Sequence, residues 1–419
     1  MNQSNLTIII PTYNRSELLE RTLRFLYSQT KISIIVADGS SGSTAYKNSE
    51  ICKRISSSIF YFCMPQADNL PGKFKNDYAH RYIKALSHVD TPYVAFCADD
   101  ELLLTSFAQR CVDFLNNNLD YIACHGSYLG FAESSTGGLD ITTIVYDAPS
   151  IDGSEISTRL MQLYSEYEAT FYAIYRTEIQ KKIFEYMPVG EPMLMGETTQ
   201  SAASVILGKV KRLEGVYYLR NLTIAPHARD IDGWNQWMAN DFSEFFEYYI
   251  KHRERMLSLL RSQNEIKIDA VRIGRALDMT FLIYVGREFH LGFWHEEYLR
   301  KLIDNENERS NMRLRLQGSS AQFGHQPISI SEQIPGVARR IARRIISSRT
   351  VRALLNQFLE ILVIKINRLI RFKKPFKDNL SISHEIYRFP HIKISTSVWE
   401  RFSLEEWNKI GPIITKFVK

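Results

Sequence analysis

Apolar residues in the first hundred positions come in short unbroken runs, separated by polar turns and by stretches of helical spacing. Leu6-Thr7-Ile8-Ile9-Ile10 is a β-branched run ending at Pro11, the pattern of a strand buried on both faces. Leu18, Leu19, Leu23 and Leu26 then recur along one face of a helix expected at 16–27. A second run, Ile32-Ser33-Ile34-Ile35-Val36-Ala37, stops at the turn-forming cluster Asp38-Gly39-Ser40-Ser41-Gly42. Further strands are expected at 59–63 and 93–97, with a helix at 75–87 between them. Strands alternating with helices predict βαβ units, hence an α/β fold around a mostly parallel sheet flanked by helices. In such sheets ligands gather beyond the carboxyl ends of the strands. The polar clusters of this chain fall there.

From about 105 to 225 the pattern is mixed. A strand is expected at 139–146, helices at 154–164 and 198–207, and a strand at 215–219. Residues 230–305 are rich in helix formers and aromatics. Residues 306–333 are polar, include Gln317-Gly318-Ser319-Ser320, and read as a linker. From 335 to 372 apolar residues trace a helical stripe that includes Val337, Ile341, Ile345, Leu355 and Leu362. The expected organisation is a sheet domain at 1–229, a helical extension at 230–305, a linker at 306–334 and a basic amphipathic helical region at 335–419.

Composition changes this picture in three ways. Hydrophobic residues make up 45% of the 419, enough for packed cores and too many for a disordered chain. The five cysteines, Cys52, Cys63, Cys97, Cys111 and Cys124, are odd in number and show no CxxC spacing. That argues against a disulfide framework or a zinc site and points to a reducing, cytoplasmic compartment. The first residues lack a basic n-region and read as a strand rather than a signal peptide. No stretch approaches about 18 uninterrupted apolar residues, so no transmembrane helix is expected.

The third change concerns charge. The total is +6, yet residues 335–377 hold twelve Lys or Arg and one acid, Glu360, so the rest of the chain is net acidic. Arg339, Arg340, Arg343 and Arg344 fall largely off the apolar stripe. A helix of this kind suits an anionic membrane surface, at the inner face of the membrane. Helices packed on the body with arginines in solvent would look the same. The continuous stripe and the lack of a nucleic-acid-binding motif count against nucleic acid.

Two constellations at strand ends carry candidate chemistry. The first is Pro11-Thr12-Tyr13-Asn14-Arg15 with Asp38-Gly39-Ser40. A carboxylate at a strand end can accept a hydrogen bond from a nucleotide base, as Asp38 could; two ordinary turns with Asp38 as a helix cap would give the same residues. The second is Ala98-Asp99-Asp100-Glu101. Three consecutive carboxylates repel one another, and a divalent cation bridging to phosphates would offset that repulsion. An acidic helix N-terminus is the plainer alternative.

Taken together, these motifs resemble family 2 glycosyltransferases with the GT-A fold. Such enzymes carry a first strand ending in P-x-Y-N-R, a second ending in D-D-G-S and a later one ending in D-x-D. Here PTYNR occupies 11–15, ADGSS 37–41 and CADDE 97–101, in the same order and at similar spacing over about residues 5–105. A looser likeness extends to about 227. The resemblance implies an inverting, metal-dependent enzyme that moves a sugar from a nucleotide-sugar donor, UDP-linked, to a glycan or lipid-linked acceptor. Surface polysaccharide biosynthesis is the implied setting.

By that resemblance Pro11, Thr12, Tyr13, Arg15 and Asp38 would meet the base and ribose. Asp68 or Asn69, Lys73 and Ala98 would lie near the donor. Asp99, with a share from Asp100, would hold Mn2+ or Mg2+. Two departures stand out: Cys97 falls where the first Asp of D-x-D is usual, and Ala37 where the first Asp of D-D-G-S is usual.

A third constellation, Met195-Gly196-Glu197-Thr198-Thr199, stands before a helix where relatives commonly carry Glu-Asp. The resemblance makes Glu197 the catalytic base, since attack on an anomeric carbon needs a carboxylate to take the acceptor's proton. The fourth is Tyr218-Leu219-Arg220 followed by Pro226-His227-Ala228-Arg229. It would supply a metal ligand, His227, and a cation for the leaving diphosphate, Arg229.

The aromatics after this point, Trp234 and Trp237 among them, suit a helical core better than an acceptor platform. Because Cys97 and Thr198 depart from the pattern, a catalytically degenerate domain acting as a membrane-associated binding or scaffolding protein is the second reading. A nucleotidyltransferase is a third, opposed by the lack of an early glycine-rich basic loop.

Overall fold

A computed structural model of the chain describes residues 5–29, 32–65, 78–133, 138–222, 242–263, 270–294, 386–389 and 392–418. The N-terminal half runs β1 (Leu6–Thr12), α1 (Ser16–Gln29), β2 (Ser33–Asp38), α2 (Gly42–Ile55), β3 (Phe60–Cys63), α3 (Tyr78–Leu86), β4 (Tyr93–Phe96), β5 (Leu102–Leu103) and α4 (Thr105–Asn117). Next come β6 (Tyr121–Glu133), β7 (Leu139–Tyr146), α5 (Ile156–Ser165), β8 (Ile174–Arg176), α6 (Thr177–Phe184), α7 (Met193–Leu207) and β9 (Lys209–Asn221). The helices α8 (Phe242–Arg261) and α9 (Ala270–Trp294) follow. The last elements are β10 (Ile386–Phe389), β11 (Ile392–Ile394), α10 (Thr396–Trp399) and α11 (Leu404–Val418).

All these strands join one sheet, in the order β10-β11-β7-β6-β8-β4-β1-β2-β3, with β9 beside β6 and β5 beside β9. The alternation of a β-strand explains how the apolar runs are used. On β1, Ile8 and Ile10 enter one core and Ile9 the other; on β2, Ile34 and Val36 divide from Ile35 in the same way. The first core lies under α1, α2 and α4. The second lies under α3, α5, α6, α7, α8 and α9. With helices on both faces, the strands must be apolar throughout, which is why these runs do not alternate with polar residues.

The sheet is parallel from β3 through β2 and β1 to β4. Beyond β4 it is mixed: β8 is antiparallel to both β4 and β6, and β7 to β6, whereas β9 runs parallel to β6 and β11 to β7. The expected mostly parallel arrangement therefore describes the half that carries the motifs. Hairpin-like returns after β6 turn the other half.

Residues 383–419 group with residues 1–289 in one compact unit, and residues 290–382 form a second. The end of the chain, within the region expected to be basic and helical, carries two short strands and two helices. Its β11 pairs with β7, Trp407 is fully buried and stacks on Trp399 at 5.2 Å, and Glu406 Oε1 accepts the Val216 N–H at 3.0 Å. Among the described residues no helix is long and apolar enough to cross a membrane. The basic stripe at 335–377 lies outside the described residues.

Candidate functional site

Three parallel strands, β4, β1 and β2, end side by side. Register pairs Thr12 with Asp38 and Ile9 with Phe96. Asp99 stands as far past Phe96 as Thr12 does past Ile9, so the two come level. Thr12 Oγ1 donates to Asp99 Oδ2 at 2.7 Å, and Thr22 Oγ1 donates to the Asp99 carbonyl at 2.8 Å. After β1 the chain turns sharply through Asn14, whose φ is 55° and whose N–H bonds Ser40 Oγ at 2.8 Å. Asparagine tolerates this left-handed conformation better than other residues with a Cβ. The turn sends Arg15 back across the strand end, where its guanidinium lies 3.2 Å from Asp99 Oδ1 and 3.1 Å from Asp100 Oδ2. Tyr13 is 37% exposed beside it, and Pro11 is partly buried.

Asp38 serves its own turn. It is fully buried; Oδ1 accepts the Ser40 N–H at 2.7 Å, and Oδ2 accepts Asn48 Nδ2 at 2.8 Å and the Tyr61 hydroxyl at 2.9 Å. These bonds fix the carboxylate against its own turn at the end of β2. The adjoining Gly39 has a steric role: a Cβ there would stand 1.7 Å from an Arg81 guanidinium nitrogen. Arg81, on α3, is buried, and its Nε has no hydrogen-bond partner among the described residues.

The acidic turn after β4 is more buried than its composition suggests. Burial raises Asp99 to about 6, against the pull of Arg15 and Thr12. Burial likewise raises Glu101 to about 7, opposed by Arg220, whose Nε lies 3.7 Å from Glu101 Oε1. The second oxygen of Glu101 has no partner among the described residues. Ala98 donates its N–H to the Tyr218 hydroxyl at 3.1 Å. Cys97 is fully buried on the core side, with its thiol toward the Ala98 and Glu101 carbonyls, and burial pushes it well above the usual thiol range.

Arg220, at the end of β9, reaches Glu101 because β9 pairs with β5, matching Leu219 to Leu102. The same guanidinium bonds the Tyr146 hydroxyl and sits 5.1 Å over its ring. Its charge also acts on Glu197. Helix α7 begins at Met193, earlier than expected, so Glu197 lies within the helix rather than before it. Its Oε1 accepts the Tyr167 hydroxyl at 3.3 Å. Burial raises the Glu197 carboxyl, and the charge of Arg220 draws it back down. A carboxyl raised by burial is a candidate for proton transfer.

The structure thus brings Thr12, Arg15, Ala98, Asp99, Asp100 and, through Arg220, Glu197 into one region. Asp68, Asn69, Lys73, His227 and Arg229 lie outside the described residues, as do Trp234 and Trp237. Reading the sequence missed Arg81, Tyr146 and Tyr167, and it gave Arg220 a place in a motif but no role. The one local signal for Arg220 is an arginine ending the apolar run Val216 to Leu219.

The expected metal arrangement is not what these residues form. Asp99 has one oxygen on Thr12 and the other on Arg15, Arg15 also holds Asp100, and Cys97 faces the core. Among the described residues no group of three or more His, Cys, Asp or Glu side chains could hold a metal ion. As they stand, the described donors Asp99 and Asp100 are already paired and do not fit a divalent cation, and His227 lies outside the described residues. A cavity of about 680 Å³ lies elsewhere, lined by Arg110, Asp147, Arg212, Arg401 and Glu406 among others, and Thr12, Asp38, Asp99 and Glu197 are not part of its wall.

In an α/β sheet ligands bind in the crevice beyond the carboxyl ends of the parallel strands, and the acidic and basic side chains gathered here stand at that place. Residues 7–184 match the family model Glycosyl transferase family 2. No curated protein sequence matches the chain. Among solved structures it is similar to S. aureus TarS 1-349 in complex with UDP-GlcNAc, at 14% identity and TM-score 0.46, over 71% of this chain and 80% of that one. It is also similar to the mannosyltransferase PcManGT from Pyrobaculum calidifontis in complex with GDP-Man and Mn2+, at 14% identity and TM-score 0.37, over 71% and 89%.

Proposed function

We propose that this chain is a glycosyltransferase that moves a sugar from a nucleotide-sugar donor, UDP-linked, to a hydroxyl of a glycan or lipid-linked acceptor. The observation that carries the reading is Arg220, which lies 3.7 Å from Glu101 and whose charge also acts on Glu197. It ties the acidic turn after β4 to a candidate base on α7, within a chain whose residues 7–184 match a glycosyl transferase family.

In this reading Glu197 takes the proton of the acceptor hydroxyl. The acceptor oxygen then bonds the anomeric carbon as that carbon's bond to the diphosphate breaks, and the configuration inverts in a single displacement. Tyr167 holds Glu197 in place through its hydroxyl. Arg220 favours the ionised base and offsets charge on the departing diphosphate. Arg81, buried against the turn after β2, meets the nucleotide from the other side, with Tyr13 at the mouth. The setting proposed is surface polysaccharide synthesis at the inner membrane face, with the basic stripe at 335–377 meeting anionic lipid.

The test is a screen of UDP-, GDP-, CMP- and dTDP-sugars for donor hydrolysis and for thermal shift. One donor should give both. No turnover and no shift with any of them would sink the reading, and a shift without turnover would leave a donor-binding domain that does not transfer.

A further inference from the structure

We propose that Arg15 occupies the place of a divalent cation against Asp99 and Asp100, so that this chain binds its nucleotide donor without a metal ion. The inference rests on the transferase reading for its ligand, but its geometry stands alone. Consecutive carboxylates at a strand end need a counter-charge. Here two arginines supply it. The Arg15 guanidinium bridges Asp99 and Asp100 at 3.2 and 3.1 Å, and Arg220 lies 3.7 Å from Glu101.

The first coordination partners are also committed. Thr12 donates to the Asp99 oxygen that Arg15 leaves, and the Asp99 side chain is only 6% exposed. A cation would have to displace a guanidinium from a buried carboxylate and break the Thr12 bond. Loss of one partner of a buried, charge-assisted pair is costly, so the exchange is opposed. Where the resemblance would place a further carboxylate this chain has Cys97, which is buried in the core. A guanidinium also meets phosphate oxygens through several N–H donors, which lets Arg15 turn part of its fork toward a diphosphate while keeping Asp99.

Two measurements on the full chain test this. In the first, Mn2+ alone is titrated and free Mn2+ is read by electron paramagnetic resonance. Wild type should take up no Mn2+, whereas Arg15→Gln, with the carboxylates released, should gain a site that Arg15→Gln/Asp99→Asn lacks. This arm needs no donor, so it reports even if every nucleotide fails to bind and the transferase reading falls. Mn2+ uptake by wild type that Asp99→Asn abolishes, or no gain in Arg15→Gln, overturns the proposal.

In the second, the affinity of the donor found by screening is compared in EDTA and in Mn2+. Wild type should differ by less than about twofold, and Arg15→Gln should bind about tenfold more weakly in EDTA, with part of the loss restored by Mn2+. Donor binding by wild type that vanishes in EDTA and returns with Mn2+ overturns it.

Discussion

Thr12 and Asp99 meet across the ends of two parallel strands, hydroxyl to carboxylate, at 2.7 Å. The contact follows from register, because both residues stand equally far beyond the last matched pair of β1 and β4. Removing the hydroxyl leaves a buried acceptor without its donor. Thr12→Ala should therefore lose about 1–3 kcal/mol of stability. Thr12→Ser should recover most of it. Urea unfolding checks both, and a Thr12→Ala variant as stable as wild type would show that the bond contributes nothing.

Glu197 gives a prediction in rate and in pH. Glu197→Gln should lower kcat by about 10²–10⁴-fold while donor affinity stays near wild type. The base acts when ionised, and its folded pKa is raised by burial. Activity should accordingly fall as pH drops through that raised value. Arg220→Gln removes the charge that opposes the rise, so the acidic limb of the profile should move to higher pH. An unmoved limb in Arg220→Gln would detach this arginine from the base.

Gly39 and Arg81 form a pair that a double-mutant cycle can read. Gly39→Ala forces the guanidinium off the turn, and Arg81→Ala removes it. Each should weaken donor binding by about tenfold, and the double variant should be no weaker than Arg81→Ala alone, because both act on one contact. Additive losses would mean that the two residues act separately.

His252 sets a limit at acid pH. It is fully buried on α8, its Nδ1 pairs with Thr199 Oγ1 at 2.9 Å, and its Nε2 has no partner among the described residues. Burial, with Arg255 adding to it, lowers the ring to about 3. The unfolded chain, with an ordinary histidine, binds a proton below about 6.5 that the folded chain refuses. Stability is thus lost as pH falls from there toward 3, on the order of 4 kcal/mol from this group. Asp99 and Glu101 act in the opposite sense, because their folded values are raised to about 6 and about 7. The clean comparison is His252→Asn against wild type from pH 7 to 4. The variant should lose less stability over that range, and equal slopes would acquit His252.

The basic stripe yields the last prediction. Replacing Arg339, Arg340, Arg343 and Arg344 with glutamine should reduce pelleting with anionic vesicles by about 4 kcal/mol of binding free energy at most, and raising salt should do the same. Neutral vesicles should not pellet the chain in either form. Unchanged pelleting of the variant would remove the membrane surface from the account.

How much of this was legible in the sequence follows from how local each signal is. β1, β2 and β4 announce themselves as apolar runs, because strands covered on both faces need every side chain apolar. β6 does not. Tyr121-Ile122-Ala123-Cys124-His125-Gly126-Ser127 mixes small, polar and aromatic residues, and its strand character comes from β8 and β9 pairing along its two edges.

The site divides the same way. Asp99 is readable from its place after β4, and Arg15 from its motif, but the bond between Arg15 and Asp99 depends on the left-handed turn at Asn14. Asp38 reads as a binding residue, and its part in closing its own turn is hidden, since nothing local reveals that Asn48 and Tyr61 converge on it. Arg220 becomes meaningful only when β9 lies beside β5, a pairing between residues more than a hundred positions apart.

The pairing of β11 with β7 has a consequence for the order in which the molecule is made. A nascent chain presents β7 long before Ile392 emerges, and the unpaired edge of β7 must wait through the synthesis of everything between them. An exposed strand edge is a template for wrong partners. A message cut short before codon 392 would accordingly yield not a trimmed enzyme but a sticky one, to be sought in inclusion bodies and on chaperones.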